Sequence, residues 1–293
     1  MSDRSDFSDL SDLLDLSDKA GLSEPFALTD HRSYSANRHM SIDYDKLAPG
    51  YDCHRRGGGP YGETLVRLAR QTAAARGDAT PPLHVLELGA GTGLNTAFFL
   101  GQIPCRVVAL ERSAGMLARG AAKRLPVSWM RASAEALPFR PRAFDFLFSA
   151  YMLHHIVDLG ALFRECRRVV RPGGRAALVT VSHEFIGSHP MNQYFPSFAR
   201  IDLQRFQPIA EVAEAMRAAG FREAIAINDV DVPRPVDASY VERVANRFIS
   251  TYDLIPAEEF ACGVQKLRDD LATGGGKLPL TIAREATTVT GQA

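Results

Sequence analysis

The sequence predicts an α/β fold in which a mostly parallel sheet lies between layers of helices. Apolar, strand-like runs alternate with helix-like segments from about residue 42 to residue 182. Strand–helix–strand connections of this kind place successive strands in parallel within one sheet. A glycine-rich turn follows the first of these runs and an acidic residue ends the second, which is typical of a ligand site at the carboxyl edge of such a sheet.

The glycine-rich turn between the first predicted strand and a helix is the most informative local feature. Gly89, Gly91 and Gly93 alternate with other residues, and the helix is predicted from Leu94 to about Gly101. Glycine reaches positive φ values and leaves room for a ligand against the main chain. The free N–H groups and partial positive charge at the helix start favour a polar ligand at the same place.

Two carboxylates accompany this turn. Glu111 ends the second predicted strand, 22 residues after Gly89, where an acidic group can accept both hydroxyls of a ribose. Glu87 would repel a pyrophosphate and attract a positive amino group. The third glycine also comes one residue earlier than in the G-x-G-x-x-G fingerprint of dinucleotide sites. S-adenosylmethionine is therefore favoured as ligand, with a nicotinamide dinucleotide as the alternative.

The region from about residue 42 to residue 182 resembles the class I S-adenosylmethionine-dependent methyltransferases, in the small-molecule branch near the quinone-type enzymes. The resemblance implies a doubly wound, mostly parallel seven-stranded sheet of the Rossmann-like methyltransferase type, with a helical cap. It is carried by a lid-like segment at 44–52, the glycine turn at 85–93, Glu111, an adenine-loop-like segment at 131–139, a fourth-strand-like segment at 144–155, and a helix, turn and strand at 162–181.

The resemblance implies S-adenosyl-L-methionine as cofactor and assigns residues to its site. One departure is Ser133, which stands where the family's adenine loop often has an acid, and this puts a side-chain bond to the adenine amino group in question. The residues assigned to the cofactor are Tyr44, Glu87, Gly89, Ala90, Gly91, Gly93, Glu111, Arg112, Met116, Ala134, Glu135 and Ser149.

Methyl transfer from a sulfonium needs alignment and exclusion of water, and a general base only when the nucleophile is protonated. His154 and His155 follow the fourth predicted strand, and histidine is the commonest base near neutral pH. Their alternative role is structural, through bonds to backbone carbonyls. Tyr44 and Tyr51 are predicted to close over the cofactor, with simple packing as the alternative. The catalytic candidates are His154, His155 and Tyr51, and the spacing indicates no metal site.

Substrate recognition is expected in two cap segments, at about residues 183–205 and 234–272. They hold the least family-like sequence and many aromatic and arginine side chains, which suit a flat small molecule, including an anionic one. The substrate candidates are Tyr194, Phe198 and Arg243, although the aromatics could instead form the cap's own core. The methylated atom, whether O, N, C or S, is not specified by the sequence.

The overall amino-acid composition limits the kinds of molecule that the protein is expected to bind. The chain has 34 basic and 34 acidic side chains and a pI near 7.1, which argues against broad affinity for nucleic acid. No Asp-Pro-Pro-Tyr block of the type found in base-methylating enzymes follows the fourth strand. The four cysteines form no C-x-x-C pair, and no apolar run is long enough to span a membrane. A small-molecule substrate, a cytoplasmic location and a monomer or homodimer are expected.

The chain is predicted to comprise an acidic tail, residues 1–40, and one methyltransferase domain, residues 41–293. Serine and aspartate recur with a three-residue period in the tail, which keeps no constant helix face, so the tail is predicted to be disordered. Its removal is expected to leave the melting temperature nearly unchanged. The alternatives are a short interaction segment in the tail and, for the whole chain, a non-catalytic S-adenosylmethionine-binding scaffold.

Overall fold

A seven-stranded sheet forms the centre of the computed structural model, which describes residues 13, 14, 42–77 and 82–293. The strand order is β3-β2-β1-β4-β5-β9-β6, and β9 is antiparallel to both of its neighbours. The predicted mostly parallel, doubly wound sheet is therefore confirmed. The strands are β1 Leu83–Leu88, β2 Cys105–Glu111, β3 Val127–Arg131, β4 Phe144–Ala150, β5 Val170–Thr180, β6 Arg222–Val230, β7 Arg234–Asp237, β8 Lys277–Ile282 and β9 Glu285–Gln292.

The helices connect these strands and form the cap. Asp158 caps the helix before β5 by accepting a hydrogen bond from the backbone N–H of Ala161. The helices are α1 Tyr44–Leu47, α2 Gly62–Arg76, α3 Leu94–Leu100, α4 Ala114–Ala122, α5 Leu159–Val169, α6 His183–Ser188, α7 Phe198–Arg205, α8 Ile209–Ala218, α9 Ala238–Ala245, α10 Thr251–Leu254 and α11 Ala257–Thr273, with 3₁₀ turns at Ala48–His54, Leu153–His155 and Pro190–Gln193.

The central strands are buried on both faces, which explains their continuous apolar sequence. Neighbouring residues of β1 point to opposite sides: Val85 packs with α2 and α3, and Leu86 packs with α5 and α8. Both side chains are fully buried. Because the two helix layers hold the sheet from both sides, the carboxyl ends of β1, β2 and β4 form a fixed edge on which a site can be built.

The cap has its own apolar core, built from α7, α9, α10 and α11 and the short sheet of β7 and β8. A buried ion pair joins Asp202 to Arg205 at 3.1 Å, and the hydroxyl of Thr251 donates to the same carboxylate. These bonds satisfy the buried charges and tie α7 to α10. The predicted helical cap is present, together with a two-stranded sheet that the sequence did not indicate.

Alternating apolar and polar residues over 278–290 predict a single final strand, and this prediction is wrong. The chain forms β8 and β9, separated by Ala283 and Arg284, and only β9 joins the main sheet. The backbone carbonyl of Arg284 accepts a hydrogen bond from the N–H of Asp231, which fixes the chain where it passes from one sheet to the other. Ala283 and Arg284 at the break are neither glycine nor proline, so the sequence carries no turn signal at that place.

Two residues of the predicted tail lie among the described residues, and both contact the domain. Leu13 is 8% exposed within the core cluster that contains Leu137 and Phe139. Its carbonyl accepts a hydrogen bond from the N–H of Arg140 at 3.0 Å, and Leu14 forms an antiparallel bridge with Phe139. At these two positions the expectation of a tail without contacts does not hold. The rest of the predicted tail lies outside the described residues.

Candidate cofactor and substrate site

A cavity of about 330 Å³ opens at the carboxyl ends of β1, β2 and β4. This volume lies at the lower end of the range of roughly 300–1,000 Å³ found for small-molecule sites. Its walls come from the lid segment (residues 42–56), the glycine turn, the start of α4, the loop after β3 and the loop after β4. The cavity therefore lies at the carboxyl edge of the sheet, where the sequence predicted a ligand site.

The glycine turn takes the conformation that its sequence requires. Gly89, Gly91 and Gly93 have φ values of 68°, 58° and 80°, in the left-handed region that non-glycine residues rarely adopt. A Cβ atom on Gly91 would meet no atom of the described residues within 4 Å, so its main chain faces open space in the cavity wall. A side chain there would enter the cavity, and glycine thus leaves the backbone accessible to a ligand.

The carboxylate of Glu111 bridges two sides of the cavity. One oxygen accepts from the N–H of Gly91 at 2.8 Å, and the other accepts from the N–H of Ser113 at 2.8 Å. Each carboxylate oxygen has two lone pairs, so an acceptor site remains on each for a ligand hydroxyl. The predicted ribose acid therefore lies in the wall of the cavity with its orientation fixed.

Glu87 lies deeper than its predicted role suggests. It is 1% exposed, does not line the cavity, and its carboxyl group accepts from the hydroxyl of Thr96. Burial raises the pKa of this carboxyl to about 8; the nearby charge of Glu111 acts in the same direction and the Thr96 bond opposes it. Its assignment to a cationic amino group stays a prediction.

Two aspartates hold the lid segment against the cavity. Asp45 accepts from the hydroxyl of Ser113 at 2.6 Å and from the N–H of Gly115 at 2.7 Å, and these bonds lower the pKa of its carboxyl. Asp52 accepts from the hydroxyl of Thr92 and pairs with Lys123 at 2.7 Å. Both contacts join the lid to elements that carry the predicted cofactor residues.

Tyr44 and His155 form a polar contact across the cavity. The Tyr44 hydroxyl lies 2.8 Å from Nε2 of His155. Burial lowers the pKa of His155 to about 3, with the positive charges of Arg205 and Arg112 adding to the effect. The imidazole is therefore neutral near pH 7, and the pKa of Tyr44, raised mainly by burial, keeps its hydroxyl protonated. A neutral imidazole can accept one hydrogen bond and donate another.

His154 differs from its neighbour. Its ring stacks on Phe206 at a centroid distance of 4.4 Å and lies behind His155, and it does not line the cavity. Both ring nitrogens are buried and have no hydrogen-bond partner among the described residues, and burial holds the pKa of His154 well below the ordinary value. Within that part of the chain, the bond to a backbone carbonyl expected for a structural histidine is not made. His154 supports the ring of His155 by packing.

The predicted site residues divide into two groups by position. Those that line the cavity are Tyr44, Tyr51, Gly89, Gly91, Glu111, Arg112, Met116, Ala134, Glu135 and His155. Those outside its lining are Glu87, Ala90, Gly93, Ser149, His154, Tyr194, Phe198 and Arg243. Tyr194 and Phe198 belong to the core of the cap, and the Tyr194 hydroxyl donates to Asp270 at 2.9 Å.

The sequence prediction missed Asp45 and Asp52 as functional residues. Each lies in the lid-like segment next to a residue that was singled out, so the aspartates in Tyr-Asp pairs were the available signal. Met152 and Ile156 also line the cavity, beside the predicted histidines. Their apolar character gave no functional signal. Among the described residues, no group of three or more His, Cys, Asp or Glu side chains could hold a metal ion.

Comparisons with known proteins show which family the chain resembles. Residues 86–178 match the family model described as a methyltransferase domain. The chain is 31% identical over 166 residues to the demethylmenaquinone methyltransferase of Corynebacterium urealyticum, covering 55% of this chain and 71% of that protein. It is 29% identical to the 2-phytyl-1,4-naphtoquinone methyltransferase of Synechococcus elongatus, covering 58% of this chain and 73% of that protein.

The fold is also found in a solved structure. A putative methyltransferase from an antibiotic biosynthesis pathway of Anabaena variabilis superposes with a TM-score of 0.57 at 19% identity, over 77% of this chain and 99% of that one. Within the part of the chain that the structure describes, no helix is long and apolar enough to cross a bilayer. The glycine turn, the ribose-type acid and the matched relatives lead to one conclusion: the chain belongs to the class I S-adenosylmethionine-dependent methyltransferases, near the quinone-type enzymes.

Proposed function

We propose that this methyltransferase moves a methyl group to an O, N, C or S atom of a small molecule bound between the lid segment and the cap. The observation that carries the proposal is the position of Glu111. Its carboxylate stands in the cavity wall, oriented by Gly91 and Ser113, where it can accept the hydroxyls of a ribose. The open face of Gly91 beside it fits a ligand lying against the main chain.

We assign the residues that line the cavity partly to the cofactor and partly to the acceptor. Glu111, Met116 and the 132–135 loop are assigned to the cofactor. The part of the wall formed by Tyr51, Tyr151 and His155 is assigned to the acceptor and is called the acceptor end. When bound, S-adenosylmethionine supplies an activated methyl group. The protein contributes alignment of the acceptor and a wall that excludes water.

His155 acts as a neutral hydrogen-bonding group in this proposal. A pKa of about 3 makes it a weak base in the closed site, whereas efficient general bases have pKa values near the working pH. The Tyr44 hydroxyl and the His155 imidazole can together orient an acceptor atom. An acceptor atom that is already deprotonated when it reaches the site, or that carries no proton, needs only this orientation and no general base.

The proposal concerns small molecules because of the relatives and the enclosed site. The two matched enzymes bear names that refer to quinone-type substrates, which are flat rings. The aromatic rings of Tyr44, Tyr51 and Tyr151 suit a ring of that kind. We extend the proposal to a monomer or homodimer that does not act on nucleic acid.

Calorimetry tests the cofactor assignment. S-adenosylhomocysteine, the demethylated product, should bind and NAD should not. Glu111→Ala should weaken binding by roughly 10- to 1000-fold, because each hydrogen bond to a charged group contributes about 1.5–3 kcal/mol. Glu63→Ala, an exposed glutamate on α2, is the matched control and should bind as the unmodified protein does. Unchanged affinity in Glu111→Ala would contradict the ribose assignment, and binding of NAD alone would favour the oxidoreductase alternative.

A panel of small-molecule acceptors then separates an enzyme from a scaffold. Transfer of a labelled methyl group to any acceptor supports the proposal. If S-adenosylhomocysteine binds but no acceptor is methylated, the scaffold alternative gains support.

A further inference from the structure

Three arginine side chains from separate segments gather beside the lid. Arg55 directly follows the 3₁₀ turn of the lid segment, Arg243 lies on α9, and Arg284 lies between β8 and β9. Burial lowers the pKa of Arg243; Tyr240 and Tyr252 oppose this shift, and the positive charges of Arg284 and Arg55 add to it. Because like charges repel, such a group is stable only if negative charge compensates it.

Negative charges of the protein compensate the three arginines only in part. Arg284 pairs with Asp231 and donates to it at 2.7 Å. Arg55 donates to the backbone carbonyl of Tyr51 at 3.1 Å, and Arg243 lies over the ring of Phe248 at 4.2 Å. Among the described residues, no carboxylate lies within 4.0 Å of the guanidinium of Arg55 or Arg243.

Arg243 also carries an unused donor. Its Nε is buried and has no hydrogen-bond partner among the described residues. One acid near the group is Asp253 on α10, which interacts electrostatically with Arg247 first and also with Arg55. Burial raises the pKa of Asp253, so this carboxyl is a weaker counter-charge than an exposed one. Buried donors in folded proteins are almost always paired, so the unpaired Nε of Arg243 leaves a hydrogen bond that the described residues do not supply.

The arginines adjoin the acceptor end of the cavity. The guanidinium of Arg55 lies 4.0 Å from the ring centre of Tyr51, and Tyr51 lines the cavity. The charge of Arg284 acts on Tyr151, which lines the same end. A molecule that extends past Tyr51 and Tyr151 therefore enters a region in which the charges of Arg55 and Arg284 act, together with those of Asp231 and Glu285.

We propose that the acceptor carries a carboxylate, which Arg243 and Arg55 bind on the cap side of Tyr51. The inference rests on the proposed methyltransferase function and names its substrate class. A carboxylate has two oxygens that match the planar fork of a guanidinium, and it would supply the missing partner for Nε of Arg243. The aromatic wall would hold the ring of the acceptor, while the arginines would select for its charge.

Paired probes with the same ring but different charge test this proposal. Benzoate, 1-naphthoate and 1-hydroxy-2-naphthoate are compared with their primary amides by calorimetry on protein saturated with S-adenosylhomocysteine. At least one acid should bind about tenfold or more tightly than its amide. Phenyl phosphate, measured alongside, shows whether a phosphate is accepted in place of a carboxylate. Tighter binding of phenyl phosphate than of every acid would overturn the carboxylate assignment, and so would a panel in which no acid binds better than its amide.

Variants test which arginine makes an acid bind more tightly than its amide. Arg243→Gln should reduce the acid-to-amide preference to near one, while affinity for the amide and for S-adenosylhomocysteine changes by less than about threefold. Arg268→Gln, an exposed arginine of the same cap, is the matched control and should keep the preference. If Arg243→Gln does not fold, as judged by circular dichroism, Arg55→Gln takes its place. If the folded variant keeps the full preference for acid over amide, the proposed binding of a carboxylate by these arginines is refuted.

Failure of this inference is distinguishable from failure of the proposed function. Loss of S-adenosylhomocysteine binding in the unmodified protein would refute the proposed function. The ratio of acid affinity to amide affinity is measured with S-adenosylhomocysteine bound. Without that binding, the ratio could not test the substrate class. If S-adenosylhomocysteine binds but no acid binds more tightly than its amide, only the carboxylate inference is refuted.

Discussion

Replacement of Glu87 by glutamine should change how stability depends on pH. The carboxyl of Glu87 is 1% exposed, and burial raises its pKa from 4.5 to about 8. The folded protein therefore keeps this proton over a pH range in which the unfolded chain has lost it. Since the native state binds more protons than the unfolded state between about pH 4.5 and 8, the free energy of unfolding falls as pH rises through that window.

The size of the effect follows from the same values. Each pH unit between the unfolded pKa of 4.5 and the folded pKa of about 8 corresponds to about 1.4 kcal/mol, which gives an upper bound of about 5 kcal/mol. Glutamine can still accept the hydroxyl hydrogen bond of Thr96 but adds a second donor to a buried place. We expect Glu87→Gln to be less stable than the unmodified protein by about 1–2 kcal/mol at pH 5. Above pH 8 it should be more stable by several kcal/mol.

Urea denaturation at intervals between pH 5 and 9 measures this change. The difference in unfolding free energy between the two proteins should change sign within the window, and the m-values should stay equal. Glu63→Gln is the control for loss of an exposed carboxylate and should follow the unmodified protein within about 0.5 kcal/mol. Parallel curves for Glu87→Gln and the unmodified protein would show that Glu87 is charged in the folded state, and the burial argument would then be wrong.

Three further predictions concern the lid, the histidine and the tail. Asp52→Asn removes the charge that pairs with Lys123, so S-adenosylhomocysteine should dissociate roughly 3- to 10-fold faster in stopped-flow measurements. Lys46→Gln, which loses only a surface pair, should not change this rate. Because the pKa of His155 is about 3, kcat/KM should show no histidine ionisation between pH 5 and 8; an acidic limb near pH 6.5 that disappears in His155→Gln would contradict this. Leu13→Ala should lower the unfolding free energy by about 2 kcal/mol, since Leu13 is buried in the core, and no loss in thermal denaturation would mean that the tail contact is not populated.

The sequence alone determined the parts of this protein that depend on local chemistry. Continuous apolar runs at β1 and β4 indicated strands buried on both faces, and the glycines at 89, 91 and 93 indicated a turn with positive φ. The spacing of Glu111 from that turn placed a carboxylate in the cavity wall. Each of these features follows from backbone conformation and strand order, which nearby residues set.

Tertiary structure decided the features that depend on contacts between distant segments. Glu87 is the penultimate residue of one apolar strand and Glu111 the last residue of the next, yet packing buries Glu87 with Thr96 and leaves Glu111 in the cavity wall. The aromatics Tyr194 and Phe198 looked like candidates for substrate contact, and three-dimensional packing directed them into the core of the cap. An aromatic side chain has the same sequence signature in a core and in a binding wall, so only its neighbours distinguish the two.

The arginine group shows the same division between sequence and structure. Arg55, Arg243 and Arg284 are far apart in the chain, and no periodic pattern connects them. They interact only because the lid, α9 and the segment between β8 and β9 meet on one side of the cavity. The sequence determined which chemical groups are present, and the fold determined which of them share a local electric field. That field depends on the distances between side chains, which local sequence does not encode.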